Sequence, residues 1–146
     1  MPTMVFFYGT LMTGFERRRR LGMDDRLAFR GHGWIHGALF DLGLYPAAVP
    51  ASDGKVRGEV FDVTDPAPVL AALDEIEGYD VSAPDASLYV RRQIPVYLDD
   101  GQQAEAWAYF YNAPLGQARR IVSGDYLAHL RAHKPSWHRG VVSSWS

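Results

Sequence analysis

Two short segments of the sequence carry residue types that could do chemistry together. The first is Tyr8-Gly9-Thr10-Leu11, where a run of apolar and aromatic residues meets a glycine. Converging backbone N–H groups at such a turn bind a carboxylate, although many strands end in glycine for steric reasons alone. The second segment, LDEIEGY, runs from residue 73 to 79 and ends a helical pattern with carboxylates before a glycine. A carboxylate there could move protons for a ligand that the turn holds.

Glu77 is the carboxylate that we single out in the second segment. Leu73 and Ile76 recur at helical spacing and predict a core-facing side, and Glu77 lies beside Ile76, four residues after Leu73. Partial desolvation raises the pKa of a carboxyl group, so that it can act as a base near neutral pH. The alternative is a solvated carboxylate at a helix end. Spacing alone favours this alternative, because most glutamates are solvated and a helix C-terminus disfavours negative charge.

Other common chemistries lack their motifs. The chain has no cysteine, which excludes a thiolate nucleophile, a disulfide and a thiolate metal site. The strings GxxxxGK[ST], GxGxxG, GxSxG and HExxH are absent. His129 and His133 form an i, i+4 pair that could clasp a metal, but a solvated face near a helix C-terminus, where cationic imidazole is favoured, explains them better. We therefore expect neither a metal nor a cofactor.

Composition bounds the partners of the protein. The 146 residues are the size of one domain, and we expect a single domain over residues 1–146 with a tail from about 134 that is extended or loose. A net charge of -2 provides no global positive field for nucleic acid or an anionic membrane. Arg17 to Arg20 predict a solvated helix or loop face, with attraction of an anionic substrate as the weaker alternative. We expect a cytoplasmic protein with a small-molecule ligand, since the sequence carries neither a signal peptide nor a membrane span.

Strand patterns dominate the first half of the chain. Residues 4–8 read as a buried strand that ends at Gly9. Residues 27–61 alternate strand-like pieces with glycine corners, which predicts a curved or closed sheet. A helix follows, with Thr64 or Asp65 as its cap, Pro66 in its first turn and Gly78 at its end.

The second half contains a hairpin and a short helix. Residues 89–98 and 103–111 predict two strands joined by Asp99-Asp100-Gly101-Gln102. In the later strand, large residues including Tyr109 and Tyr111 alternate with alanines, so aromatic side chains on one face could line a cavity. Residues 123–132 predict a helix with Ser123 as a possible cap. Together these elements indicate an α+β fold around a small β-barrel with a few helices.

The order of several strings resembles a known family. The strings are FFYGTL, GALFDLGLYPAAV, VRGEVFDV, LDEIEGY, LYVRRQIPVYL, AWAYFY and IVSGDYL. In this order they look like the gamma-glutamylcyclotransferase family, in its gamma-glutamylamine cyclotransferase or AIG2-like branch, over residues from about Val5 to about Leu127. Each string is short, but their number and order make the resemblance specific.

The resemblance implies a fold, a reaction and site residues. It implies the family's mixed α/β barrel, with the backbone of Tyr8, Gly9, Thr10 and Leu11 holding a glutamyl moiety and Glu77 matching the catalytic glutamate. The implied enzyme releases 5-oxoproline from a gamma-glutamyl substrate. Two departures concern the leaving group: Met12 stands where the family often has a basic residue, and the loop over residues 80–88 has its own length and composition.

The implied reaction needs no protein nucleophile and no metal. The α-amine of the substrate attacks its own γ-carbonyl, and one carboxylate, Glu77, can remove a proton and later deliver one. N–H groups of the Gly9 turn would hold either the α-carboxylate or the developing oxyanion. A hydroxyl from Tyr111, or alternatively Tyr109, could complete the site, and a role as core or wall aromatics is about equally favoured for each.

Two other functions remain open at the level of sequence. The first is a binding module that keeps the cavity without the reaction. The second is an interaction protein whose partner surface includes Trp137 and Trp145. The leaving amine and the oligomeric state are also left open, because only the outer cavity distinguishes one gamma-glutamyl substrate from another.

Overall fold

The computed structural model describes residues 3–13 and 17–133, with the backbone alone for residue 133. The strands are β1 (Thr3–Phe7), β2 (Leu27–His36), β3 (Ala38–Asp41), β4 (Pro46–Val49), β5 (Lys55–Val63), β6 (Tyr89–Leu98), β7 (Gln103–Tyr111) and β8 (Arg119–Arg120). The α-helices are α1 (Arg17–Arg20), α2 (Pro66–Glu77) and α3 (Tyr126–His133). Five strands close into a barrel in the order β1-β5-β2-β6-β7, and β4-β3-β8 form a second sheet.

The barrel is mixed, which confirms the fold class expected from the sequence. Its neighbouring strands are antiparallel except at the closure, where β1 and β7 run parallel and Val5 is paired with Trp107. Glycines permit the bending that closure requires. Strand β2 has a bulge between Phe29 and Gly31, and a Cβ atom on Gly33 would lie 2.7 Å from the carbonyl oxygen of Tyr97.

The barrel interior is a packed core. Alternate positions on the strands place fully buried side chains inside, including Val60, Val96, Ala106 and Ala108. The other face of β7 carries Trp107, Tyr109 and Tyr111, and Tyr109 contacts α2 through a hydrogen bond to Asp74. Tyr109 therefore lies between the barrel and α2.

Strand β1 leads directly into the turn that the sequence singled out. The strand ends at Phe7, so Tyr8 is the first residue after it rather than its last. Its neighbour β5 approaches closely at Gly58, where an added Cβ would lie 2.3 Å from the carbonyl oxygen of Phe7 and 2.6 Å from the ring of Phe6. This contact sets the position of the strand end and of the turn beyond it.

Helix α2 has the predicted bounds, but its start and its buried face differ in detail. Asp65 precedes it in a left-handed conformation and makes no side-chain capping bond, and Gly78 ends it with φ of 67°. The buried residues are Val69, Leu73 and Glu77, an i, i+4 stripe. The sequence placed Ile76 on this stripe, whereas Ile76 is half-buried and the carboxylate of Glu77 takes the last core position.

The β6–β7 hairpin has the predicted strand bounds, with Gly101 in the left-handed region and the Leu98 N–H donating to the Gln102 carbonyl at 2.9 Å.

Helix α3 begins later than predicted. Its cap is Asp125, whose carboxylate accepts the Ala128 N–H at 3.0 Å, and Ser123 instead accepts the N–H of Asp125. The prediction of Ser123 as the helix cap was therefore wrong.

The arginine block forms helix α1, and the prediction of a solvated face holds only in part. Arg19 and Arg20 are exposed, but the side chain of Arg18 is only 14% exposed. Its guanidinium pairs with Asp24 at 3.2 Å and stacks 4.4 Å from the ring centroid of Phe61. Arg18 therefore anchors α1 to the outside of the barrel.

Some predictions concern parts of the chain that the structure does not describe. Trp137, Trp145 and the tail from about 134 lie outside the described residues, so the interaction surface and the loose tail stay predictions, as does the single domain over residues 1–146. None of the helices within residues 3–13 and 17–133 has the length and apolar character of a membrane-spanning segment.

We expect Gly58→Ala to lower the free energy of unfolding by roughly 2–3 kcal/mol, because the new methyl group overlaps backbone and ring atoms of β1. The measurement is urea unfolding followed by tryptophan fluorescence. Gly116→Ala is the control: Gly116 has φ of 58° and open space around its Cβ position, so it costs only about 1 kcal/mol of backbone strain. Equal losses in the two variants would contradict the close packing of β1 on β5.

Candidate active site

A cleft lies between the end of β1 and the C-terminal end of α2. It contains about 310 Å³ of unfilled space, part of which is open to solvent. The residues that line it are Phe6, Phe7, Tyr8, Gly9, Leu11, Glu77, Tyr89 and Tyr109. The fold thus brings the two segments that the sequence singled out to one site, although Leu11 and Glu77 are 66 positions apart along the chain.

The side chain of Tyr8 ties the turn to the two sheets. Its hydroxyl donates to the carbonyl oxygen of Tyr109 at 2.7 Å and accepts the N–H of Ala48 at 3.3 Å. The ring is buried. Since both hydrogen bonds reach backbone atoms of other strands, the hydroxyl of Tyr8 serves mainly to hold the turn in place.

The turn itself presents unused hydrogen-bond donors. Met12 donates its N–H to the carbonyl of Gly9 at 3.1 Å, which closes the turn. Among the described residues, the N–H groups of Gly9, Thr10 and Leu11 donate no hydrogen bond. The buried hydroxyl of Thr10 likewise has no partner in this part of the chain. Buried polar groups normally have partners, so the turn has spare capacity to bind an anion.

Glu59 holds the far end of the same turn, and the sequence analysis missed it. Its carboxylate is 4% exposed and accepts the N–H of Thr13 at 2.7 Å. Arg18 lies 4.0 Å and His32 3.8 Å from its oxygens. The only signal in the sequence is a glutamate in the apolar strand β5, which an alternating pattern would place on either face.

Glu77 is buried, with 5% of its surface exposed. It is the last residue of α2, where the partial charge of the helix is negative. The alternative that spacing favoured, a solvated surface carboxylate, is therefore wrong. A carboxylate that is buried at an unfavourable helix end and faces a cleft is typical of a functional site.

Four tyrosines lie within electrostatic range of this carboxylate. Burial raises the pKa of Tyr8, Tyr89 and Tyr109, and the negative charge of Glu77 raises each pKa further. The pKa of Tyr45 is also raised, by burial first and then by the charges of Tyr111 and Glu77. All four phenols are thus neutral near pH 7 and add no negative charge near Glu77.

Arg17 is a cationic residue whose charge interacts with that of Glu77. Burial lowers the pKa of Arg17, while the charge of Glu77 opposes that change and the charge of Arg20 adds to it. The first arginine of α1 therefore lies within electrostatic range of Glu77, which supports the weaker alternative for the arginine block. The sequence identified the block but not that the charge of Arg17 interacts with that of Glu77.

Of the remaining candidates, the cleft includes Tyr109 and not Tyr111. Tyr111 lies behind Tyr89, with ring centroids 5.3 Å apart. His129 bonds Asp41 at 2.7 Å, and the side chain of His133 lies outside the described residues. Within the described part of the chain, no group of three or more His, Asp or Glu side chains is arranged to hold a metal ion.

Fold and cleft together define a class of protein: a small mixed barrel with a buried carboxylate facing a glycine turn. The sequence profile of the family described as gamma-glutamyl cyclotransferase, AIG2-like, matches residues 5–128. The chain belongs to this family.

Named relatives agree with the assignment. A Methanocaldococcus jannaschii protein named "Putative gamma-glutamylcyclotransferase" is 30% identical over 123 residues, which cover 84% of this chain and 93% of that relative. The crystal structure of YkqA from Bacillus subtilis matches with a TM-score of 0.67 and 26% identity over 90% of this chain but 42% of YkqA. The solution structure of ytfP from Escherichia coli matches with a TM-score of 0.59 and 29% identity, over 87% of this chain and 98% of ytfP.

We expect Tyr8→Phe to lower the free energy of unfolding by roughly 1–3 kcal/mol, because it leaves the Tyr109 carbonyl and the Ala48 N–H without their buried partner. Thermal and urea unfolding at pH 7 measure the change. Tyr97→Phe is the matched control: among the described residues the Tyr97 hydroxyl makes no hydrogen bond, and its ring stacks on Trp34 in either case. A change within about 0.5 kcal/mol is expected there. If both variants behave alike, Tyr8 does not anchor the turn.

Proposed function

We propose that the protein is a gamma-glutamyl cyclotransferase that releases 5-oxoproline and a free amine or amino acid from a gamma-glutamyl substrate. The observation that carries this proposal is the pairing of the buried carboxylate of Glu77 with the unused N–H donors of the Gly9 turn in one cleft. The first supplies a proton acceptor, and the second supplies a binding site for a carboxylate or an oxyanion. Family membership supports the same reaction class.

In the proposed reaction, the α-nitrogen of the glutamyl group forms a bond to its own γ-carbon, and the bond from that carbon to the leaving nitrogen breaks. The α-ammonium loses one proton to become nucleophilic and a second as the lactam forms. The leaving nitrogen gains one of these protons as its bond to the γ-carbon breaks, and the free amine takes up the second to become an ammonium ion. Glu77 accepts protons on one side and returns them on the other, so the enzyme is unchanged at the end. The reaction requires no protein nucleophile, because the attacking group belongs to the substrate.

Neutral tyrosines make the cleft suited to this sequence of steps. Tyr89 donates its hydroxyl to the Pro46 carbonyl at 3.1 Å, and Tyr109 donates to Asp74 at 2.6 Å. Both rings are therefore held rigidly as walls around Glu77. Rigid walls favour ring closure, because the flexible glutamyl chain must fold back on itself before its nitrogen can reach its γ-carbon.

We further propose that Arg17 binds a substrate carboxylate at the rim of the cleft. Every gamma-glutamyl substrate carries an α-carboxylate, and gamma-glutamyl amino acids carry a second one on the leaving group. The sequence has Met12 directly after the turn, so a cation must come from elsewhere, and the charge of Arg17 interacts with that of Glu77.

We expect Glu77→Gln to lower kcat by roughly 10²- to 10⁴-fold, because glutamine preserves the size and hydrogen bonding of the side chain but cannot accept a proton. The purified protein is incubated with gamma-glutamyl amines, gamma-glutamyl amino acids and glutathione, and 5-oxoproline is measured by mass spectrometry. The preferred substrate identifies the leaving group.

Glu75→Gln is the matched control, since Glu75 lies on the same helix but is exposed. It should retain the native rate. Native turnover that survives in Glu77→Gln would overturn the mechanism. Binding of gamma-glutamyl compounds by the native protein without any product would replace the enzyme with a binding module on the same fold.

We expect Arg17→Gln to raise KM by roughly 5-fold with little change in kcat, which corresponds to about 1 kcal/mol for a partly exposed charge pair. Arg30→Gln, in the β2 strand beside Asp100 and outside the cleft, should leave both constants unchanged. If Arg17→Gln changes kcat and leaves KM as it was, Arg17 acts on Glu77 and does not bind the substrate.

A further inference from the structure

Asp74 joins α2 to two strands of the barrel one turn before Glu77. Arg91 on β6 donates to both oxygens of its carboxylate, at 2.8 and 3.2 Å. Tyr109 on β7 donates its hydroxyl to the same carboxylate at 2.6 Å. The side chains of Asp74 and Arg91 are only 18% and 15% exposed, so this is a partly buried, charge-assisted network of well-directed bonds.

The strands in turn hold the two donors in place. The guanidinium of Arg91 lies 4.4 Å from the ring centroid of Trp107, and Arg91 is paired directly with Tyr109 across the β6–β7 ladder. The carbonyl of Tyr109 accepts the hydroxyl of Tyr8. The network is thus continuous with the glycine turn on the opposite side of the cleft.

Glu77 needs such support, because the last turn of α2 is an unfavourable place for it. The turn carries a buried carboxylate at the negative end of the helix, and helix ends fray. Residues three apart lie on neighbouring positions of one helix face, so whatever fixes Asp74 also fixes the direction in which Glu77 projects. Arg91 has a second effect: it neutralises a carboxylate that would otherwise repel Glu77 one turn away.

We propose that Asp74, Arg91 and Tyr109 form a clamp that fixes the last turn of α2 on the barrel, so that Asp74 and Arg91 are positioning residues for Glu77. Their role in turnover rests on the proposed function, whereas their effect on the helix end does not. Tyr109 also lines the cleft. Because its hydroxyl bonds Asp74, Tyr109 connects the wall of the cleft to the clamp.

The test compares Asp74→Asn, Arg91→Gln and the double variant. Arg91→Gln leaves the Asp74 carboxylate unneutralised near Glu77, and we expect kcat to fall on the order of 10- to 100-fold with a smaller change in KM. Asp74→Asn should lose less, because the amide oxygen still accepts from Tyr109. In the double variant two amides replace the ion pair, and part of the lost kcat should return.

The Arg57–Asp99 pair provides the matched control. Its two hydrogen bonds, at 3.0 and 2.7 Å, have the same bidentate geometry, but the pair is exposed at the hairpin and outside the cleft. Arg57→Gln and Asp99→Asn should leave kcat unchanged. Equal losses of kcat in the two sets of variants, or native kcat in Arg91→Gln and Asp74→Asn, would overturn the positioning role.

Amide hydrogen exchange tests the clamp without a substrate. We expect Arg91→Gln to speed exchange in a peptide over residues 74–79 and to leave the β6–β7 hairpin protected. Tyr109→Phe, which removes one donor and retains both bonds from Arg91, should have a smaller effect at the same place. Unchanged exchange in both variants would overturn the clamp. If the native protein makes no 5-oxoproline but this exchange pattern is found, the proposed reaction fails and the clamp stands.

Discussion

The burial of one carboxylate at the C-terminal end of a helix is the constraint on which the site depends. Taking a charge out of water costs several kcal/mol unless hydrogen bonds and opposite charges compensate. Glu77 occupies the last position of the Val69–Leu73–Glu77 stripe, where an apolar residue would stabilise the fold. Its neutral tyrosine neighbours, and a cation in Arg17, provide the compensating environment that makes a buried proton acceptor sustainable.

The rest of the architecture places partners for this carboxylate. The barrel interior holds buried apolar side chains such as those of Val60 and Ala106, and α2 packs on the face of β7 that carries Tyr109. Tyr109 connects three parts of that face, because its ring lines the cleft, its hydroxyl bonds Asp74 and its carbonyl accepts Tyr8. Glu59 accepts the N–H of Thr13 and thereby fixes the chain just after the turn. The turn can then leave its own N–H groups unpaired without losing its shape.

Most of the fold was readable from the sequence, because local patterns specify it. The alternation of β6 and β7, the Asp-Gly turn between them, Pro66 and Gly78 at the ends of α2, and the glycine corners before them predicted the hairpin, the helix and the closed sheet. Each of these signals acts over a few residues. The errors are also local: Asp125 caps α3 in place of Ser123. Glu77 is buried although spacing favoured a solvated side chain, since helical spacing leaves a choice between adjacent residues at the boundary of a buried stripe.

The sequence by itself therefore determined the class of fold, the turn, the glutamate and the family resemblance. Tertiary structure alone decided that Glu77 is buried and that Tyr109 rather than Tyr111 lines the cleft. It also decided that the charge of Arg17 interacts with that of Glu77, and that Arg91 and Tyr109 bind Asp74. These contacts join residues 17 and 35 positions apart in the case of Asp74, and 101 positions apart between Tyr8 and Tyr109. A periodic pattern shows which side of an element is apolar, whereas the partner that a polar side chain meets depends on how the barrel closes and where α2 packs on it.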